Sequence, residues 1–262
     1  MKPLTIIKTG SSLPHLVEAY GDFDHWISHY LQATPDSITI IDARTCPALP
    51  KPDACSGVII TGSHDMVTDR LPWSETLAKW IPDLIDRQIP LLGICYGHQL
   101  IAHAMGGIVG FHPLGPEIGT VTVSLTLEGK KDPLLASLPG SFRAHASHAQ
   151  TVLTLPRDAS ILAANDVEPH HAFRIGPCAW GVQFHPEFPA HVMRAYILEQ
   201  TDALKRQGKT ASALAEDVQE TPDSHSVLKH FADIVSALVP PNSETYSHNP
   251  DSCAKGGTRH CR

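Results

Sequence analysis

The chain has 262 residues, 42% of them hydrophobic and 18% charged, with a formal net charge of −7 at pH 7. That length can bury a large core, as one sizeable domain or two small ones, and the acidic balance speaks against a nucleic-acid or anionic-membrane surface. The opening apolar run is too short for a secretory leader and no stretch approaches a membrane span; the six cysteines include no C-x-x-C pair, which disfavours a zinc ribbon or disulfide framework and makes a reducing cytoplasm the expected location.

In chain order, "LTIIKTG" (4–10) reads as a strand and "DHWISHYL" (24–31) as a helix with Trp26, Ile27, Tyr30 and Leu31 on one face. "SITIIDA" (37–43) and "SGVIITG" (56–62) are further strands. "SETLAKWIPDLIDRQ" (74–88) reads as a helix that Pro82 should kink or divide, and "PLLGI" (90–94) as the next buried strand. Continuous apolar strands separated by helices imply a parallel sheet covered on both faces. After residue 108 the strands "IGTVTVSLTL" (118–127), "QTVLTL" (150–155), "SILAAN" (160–165) and "AWGVQFH" (179–185) suggest a more antiparallel extension of the same sheet. Helices are expected over 190–207 and 223–238, followed by a polar, loose tail over 240–262. The tail's His248, Cys253, His260 and Cys261 are too irregularly spaced to argue for a metal.

The segment "PLLGICYGHQLIAHAMGG" (90–107) is strand, sharp turn and helix, with Gly93, Cys95 and Gly97 in the pattern G-x-C-x-G. Such an elbow forces its central residue into a strained backbone and lifts the side chain clear of the sheet edge. Flanking glycines suit it because strand and helix pass close together there. The helix start aims free N–H groups at the sulfur, which favours a thiolate nucleophile over an inert buried cysteine. A thiolate performing acyl chemistry needs a base and a group to orient that base. "WGVQFHPEF" (180–188) offers both, since His185 and Glu187 are two apart in an extended segment and point the same way. Alone, that pair would read as surface residues at a strand end.

Together, "LLGICYGHQLIA" and "WGVQFHPEF" resemble the class I, triad-type glutamine amidotransferases over about residues 40 to 190. The resemblance implies a flavodoxin-like α/β fold, a mostly parallel sheet flanked by helices, over residues 1–239. It implies a Cys-His-Glu triad with Cys95 as nucleophile, His185 as general base and acid, and Glu187 as its orienting partner. From "GVIITGSHDMV" it assigns an oxyanion hole to the N–H groups of Ser63 and Tyr96, with Gly62 shaping the turn. Here Gly62-Ser63-His64 stands where many members have Gly-Gly-Pro, so the second glycine's freedom at positive φ is absent. Gln99, four residues past the nucleophile, and Ser147, His148 and Ala149 of "ASHAQTVLTLP" match substrate contacts. "HASH" (145–148) and "EPHH" (168–171) space histidines as metal ligands sometimes are, but neither completes a ligand set, and no metal or other cofactor is expected.

No P-loop or pyrophosphatase-type glycine motif is present to activate an ammonia acceptor. Either a separate synthase subunit receives the ammonia, or a γ-glutamyl bond is simply hydrolysed. Three functions follow: a glutaminase acting on glutamine, a γ-glutamyl peptidase acting on a larger γ-glutamyl compound, and a non-catalytic regulatory binding module, which an intact triad disfavours. Residues 64–72 and 111–117 are expected to shape the leaving-group side.

Overall fold

Period-2 burial in a run of β-branched residues places alternate side chains on opposite faces of a sheet, and both faces must then be covered. A computed structural model describes residues 2–32, 37–46 and 48–238. The expected loose tail over 240–262 lies outside them. The first half runs β1 (Leu4–Lys8), α1 (Pro14–Tyr20), α2 (Phe23–Leu31), β2 (Ile38–Asp42), β3 (Gly57–Ile60), α3 (Pro72–Asp86), β4 (Leu91–Ile94) and α4 (Tyr96–Ala104). The second half is richer in strands: β5 (Ile108–Phe111), β6 (Glu117–Leu125), β7 (Ser141–His148), β8 (Gln150–Thr154), β9 (Ala159–Ala164), β10 (Ala172–Ile175) and β11 (Ala179–Val182). Four helices follow, α5 (Ala190–Glu199), α6 (Thr201–Arg206), α7 (Ala211–Glu216) and α8 (Pro222–Leu238).

Nine strands form one sheet in the order β2-β1-β3-β4-β11-β10-β9-β6-β7. Pairing is parallel from β2 through β11 and antiparallel from β11 to β7. This is the flavodoxin-like arrangement with its antiparallel extension. Ile6, Ile59 and Leu92 face a core shared with Ile27 of α2 and Val227, Leu228 and Phe231 of α8. Ile7, Val58 and Leu91 face the opposite core, with Leu77 and Ile81 of α3 and Leu100 and Ile101 of α4. A third cluster joins Phe23 and Trp26 to Phe188 and to Met193, Tyr196 and Ile197 of α5. Among the described residues, no helix is long and apolar enough to cross a membrane.

Three expectations need correction. Pro82 does not divide α3, which runs unbroken from Pro72 to Asp86; the lost N–H removes one ladder bond, while Leu77, Ala78, Trp80, Ile81 and Leu84 bury both halves. The helix expected over 190–207 breaks at Gln200, whose N–H bonds Ile197 O, and Thr201 Oγ1 donates to Leu198 O at 2.5 Å, a side-chain bond that competes with the helical ladder. The strand at 150–155 leaves the main sheet. It pairs with β5 as a separate antiparallel ribbon, because its buried Val152 belongs to the core under α4.

Candidate functional site

Cys95 sits between β4 and α4 with φ +50° and ψ −96°, a left-handed backbone that a side-chain-bearing residue rarely adopts. Its N–H is held by Val182 O at 2.8 Å. The elbow closes only because its flanks lack side chains. A Cβ at Gly93 would stand 2.4 Å from the carbonyl carbon of Gly97, and one at Gly97 would stand 2.4 Å from Ile60 O. Parallel pairing of β11 with β4 then brings the segment after Val182 beside the elbow.

His185 and Glu187 meet as their spacing suggests: Nδ1 of the buried imidazole bonds Glu187 Oε1 at 2.8 Å. The ring stacks on Phe188 at 4.0 Å. Gly62 lies against it as well, since a Cβ there would be 3.1 Å from His185 Cε1 and 3.8 Å from Cys95 Cβ. Burial pulls the His185 pKa down, but the Glu187 carboxylate and the neighbouring Cys95 sulfur outweigh it and lift it to about 10. The imidazole therefore carries a proton at neutral pH. The Cys95 thiol also reaches Ser147 O, at 3.8 Å.

Cys95 opens into a cavity of about 410 Å³ that collects most of the other expected residues: Ser63, Tyr96, Gln99, Ser147, His148 and Ala149. Gly62 stands behind them, against the His185 ring. The turn at Ser63 is made without positive φ; Thr9 Oγ1 donates toward Thr61 O (2.9 Å) or Gly62 O (3.0 Å) and fixes it from below. Tyr96 begins α4, so its N–H is among those a helix leaves without an intrahelical partner. Its phenol points the other way, to Ser74 Oγ at 2.6 Å, and burial raises its pKa to about 12. Gln99 lines the cavity, but its Nε2 donates to Gln150 O (2.7 Å) and Gln183 Oε1 (3.0 Å), leaving only the amide oxygen for a ligand. His64, Asp65 and Met66 of the segment after β3, Pro116 just before β6 and Glu117 at its start contribute to the wall.

Sequence reasoning named His148 and the 111–117 segment but missed the polar wall that Glu117 builds with His148, His171 and Asn165. Glu117 Oε2 accepts from His148 Nε2 at 3.1 Å and lies 3.2 Å from His171 Nε2, while Asn165 Nδ2 donates to Oε1 at 2.8 Å. Burial raises the carboxyl's pKa, but these donors outweigh it and hold the group well below the usual carboxylate range. His148 Nδ1 faces Gln150 O at 3.0 Å, so each of its nitrogens meets an acceptor. One histidine of each motif, His148 of "HASH" and His171 of "EPHH", faces this carboxylate, while His145 meets Thr120 Oγ1 and His170 meets the Val152 carbonyl. Among the described residues, no group of three or more His, Cys, Asp or Glu side chains is arranged to hold a metal ion. His64, within the 64–72 segment expected to shape the site, lines the cavity; its Nε2 lies 3.2 Å from Tyr196 OH, which meets Ser12 Oγ at 2.8 Å.

The fold agrees with comparison to known proteins. The chain belongs to the class-I glutamine amidotransferase family, whose profile matches residues 15–203. It is 32% identical over 173 residues to the glutamine-hydrolysing GMP synthase of Aeropyrum pernix, a match covering 66% of this chain and 32% of that protein. It is 34% identical over 173 residues to a glutamine-hydrolysing GMP synthase subunit of Natronomonas pharaonis, covering 66% of this chain and 86% of that one. To gamma-glutamyl peptidase 4 of Arabidopsis thaliana it is 29% identical over 199 residues, 75% of this chain and 77% of the relative. Among solved structures, a glutamine amidotransferase from Thermotoga maritima aligns with a TM-score of 0.70 at 21% identity, covering 90% of this chain and 98% of the other. One from Methylobacillus flagellatus gives 0.67 at 23%, covering 90% and 93%. The match thus spans about a third of the length of the Aeropyrum pernix enzyme.

Proposed function

We propose that the protein is a cysteine amidohydrolase that releases ammonia from the side-chain amide of glutamine. The observation that carries this reading is the Cys95 elbow at φ +50°, opening into the cavity, beside a buried His185 bonded to Glu187 at 2.8 Å. The Cys95 sulfur attacks the γ-carbonyl, and the oxyanion is met by the N–H groups of Ser63 and Tyr96. His185, protonated beside Glu187, gives its proton to the departing nitrogen, and a γ-glutamyl thioester remains. Water then attacks the thioester carbonyl, His185 takes the water's proton, and glutamate leaves as the Cys95 sulfur is restored. Gln99, Ser147, His148 and Ala149 line the end of the cavity where the amino-acid head would rest. No cofactor enters these steps.

A second reading has its own support. The chain matches gamma-glutamyl peptidase 4 over 77% of that relative's length. A γ-glutamyl peptidase would use the same triad with an amine leaving group larger than ammonia. In the first reading a separate synthase subunit receives the ammonia; in the second no acceptor is required. Ammonia release from glutamine, measured beside amine release from a panel of γ-glutamyl amides, separates them. A higher kcat/KM for a γ-glutamyl amide selects the peptidase, and faster unassisted glutamine hydrolysis selects the glutaminase. Binding of glutamine without turnover of any compound would leave a regulatory module.

A further inference from the structure

The family match ends at residue 203, yet the helix that closes the chain's described part reaches back to the triad. His225, in the first turns of α8, places Nδ1 2.6 Å from the carbonyl oxygen of Pro186, the residue between His185 and Glu187. A carbonyl only accepts, so Nδ1 carries the hydrogen. The other ring nitrogen lies 3.5 Å from Thr221 Oγ1. The imidazole is also held by its face: it stacks on Tyr30 of α2 with ring centroids 4.1 Å apart and planes within 5°. Burial lowers its pKa, which agrees with a neutral ring donating from Nδ1.

Three contacts therefore fix the short bridge on which both acid–base groups hang. His145 O holds the backbone N–H of His185 at 2.8 Å. Phe188 holds the His185 ring from the following residues. His225 holds the peptide plane between them. Rotating that plane moves the carboxylate relative to the imidazole, and a displacement of about 1 Å at a catalytic group costs on the order of a hundredfold in rate.

We propose that His225 is a positioning residue: its Nδ1–H bond to Pro186 O sets the His185–Glu187 geometry and thereby the turnover of Cys95. The proposal rests on the triad reading above. It also assigns α8 a role in the reaction.

The test uses the full chain, with kcat and KM measured on glutamine or on the best γ-glutamyl amide, and the rate of Cys95 alkylation by iodoacetamide mapped by mass spectrometry. His225→Ala should lower kcat about ten- to a hundredfold with KM changed by no more than about twofold, because the cavity wall that meets the substrate is untouched. His225→Asn, whose side-chain amide can donate from nearly the Nδ1 position, should restore most of the loss. His230→Ala removes a comparable contact of the same helix, His230 Nδ1 to Leu134 O at 3.1 Å, far from Pro186. It should leave kcat near the parent value even where it lowers the melting temperature as much as His225→Ala does. If His230→Ala costs as much turnover as His225→Ala, or if Asn rescues nothing, the effect is helix docking and the proposal falls. The triad reading has a separate readout: Cys95 alkylation should slow in His185→Ala. Alkylation indifferent to His185 would overturn that reading, whereas alkylation dependent on His185 with turnover indifferent to His225 would overturn only the positioning role.

Discussion

The parallel and antiparallel halves of the sheet supply their reacting groups by different means. In the parallel half, Cys95 is placed chiefly by backbone sterics: two missing side chains, at Gly93 and Gly97, let β4 and α4 close around a left-handed residue whose N–H bonds Val182 O. In the antiparallel half, and in the segment that leaves β11, placement is polar. Glu117, hydrogen-bonded to His148 and Asn165 and within 3.2 Å of His171, forms one polar wall, and Glu187 and the Pro186 carbonyl hold the His185 bridge. A steric device tolerates no added atom, while a polar device tolerates substitutions that keep a donor or acceptor in place. The nucleophile side should therefore respond to volume and the base side to hydrogen-bonding character.

The largest effect should come from the nucleophile itself. Cys95→Ala should reduce turnover by about a million-fold, and a diazoketone glutamine analogue should label Cys95 in the parent while sparing Cys46, Cys55 and Cys178. An adduct elsewhere with Cys95 untouched, seen by peptide mass spectrometry, would sink the assignment. His185→Ala should cost at least about a thousandfold, measured as steady-state kcat. Glu187→Gln should cost less with the fold intact, because the amide still accepts a hydrogen bond while losing the charge that supports the imidazolium.

Two further tests act on stability. Gly97→Ala places a Cβ 2.4 Å from Ile60 O, and such overpacking costs about 1–3 kcal/mol, to be read from the urea midpoint. A neutral result there would refute the steric account of the elbow. The last effect is a pH slope. The folded pKa of His185 stands at about 10, above its unfolded value near 6.5. Stability from this group is therefore complete below about pH 6.5 and is lost as pH rises through 10. The urea midpoint should fall between pH 7 and 10 in the parent and fall less in His185→Gln; parallel slopes in the two proteins would contradict the raised pKa.

What could be read from the sequence was what is local in it. The elbow and His185-Pro186-Glu187 are each written within five residues, so spacing alone placed their parts. Glu117 with His171, Thr9 with the turn at Gly62, and His225 with Pro186 pair residues far apart along the chain, and no periodicity connects them. The late strands were legible as strands but not in their partners. Whether β8 joins the main sheet depends on where Val152 finds a core, which only the packing of α4 decides. The break at Gln200 had a visible signal, the helix-competing hydroxyl of Thr201, that apolar periodicity outweighed.

The pairing of β4 with β11 also has a kinetic consequence. Those strands are neighbours in space but nearly ninety positions apart in the chain, and such long-range parallel contacts form late because their loop-closure cost precedes their reward. The Cys95 sulfur meets its imidazole only once that pairing exists. A chain still emerging from a ribosome, or one halted at a partly folded stage, has Cys95 without His185 beside it. On the proposed function, the site is assembled only by completion of the fold, so an unfinished molecule does not consume substrate.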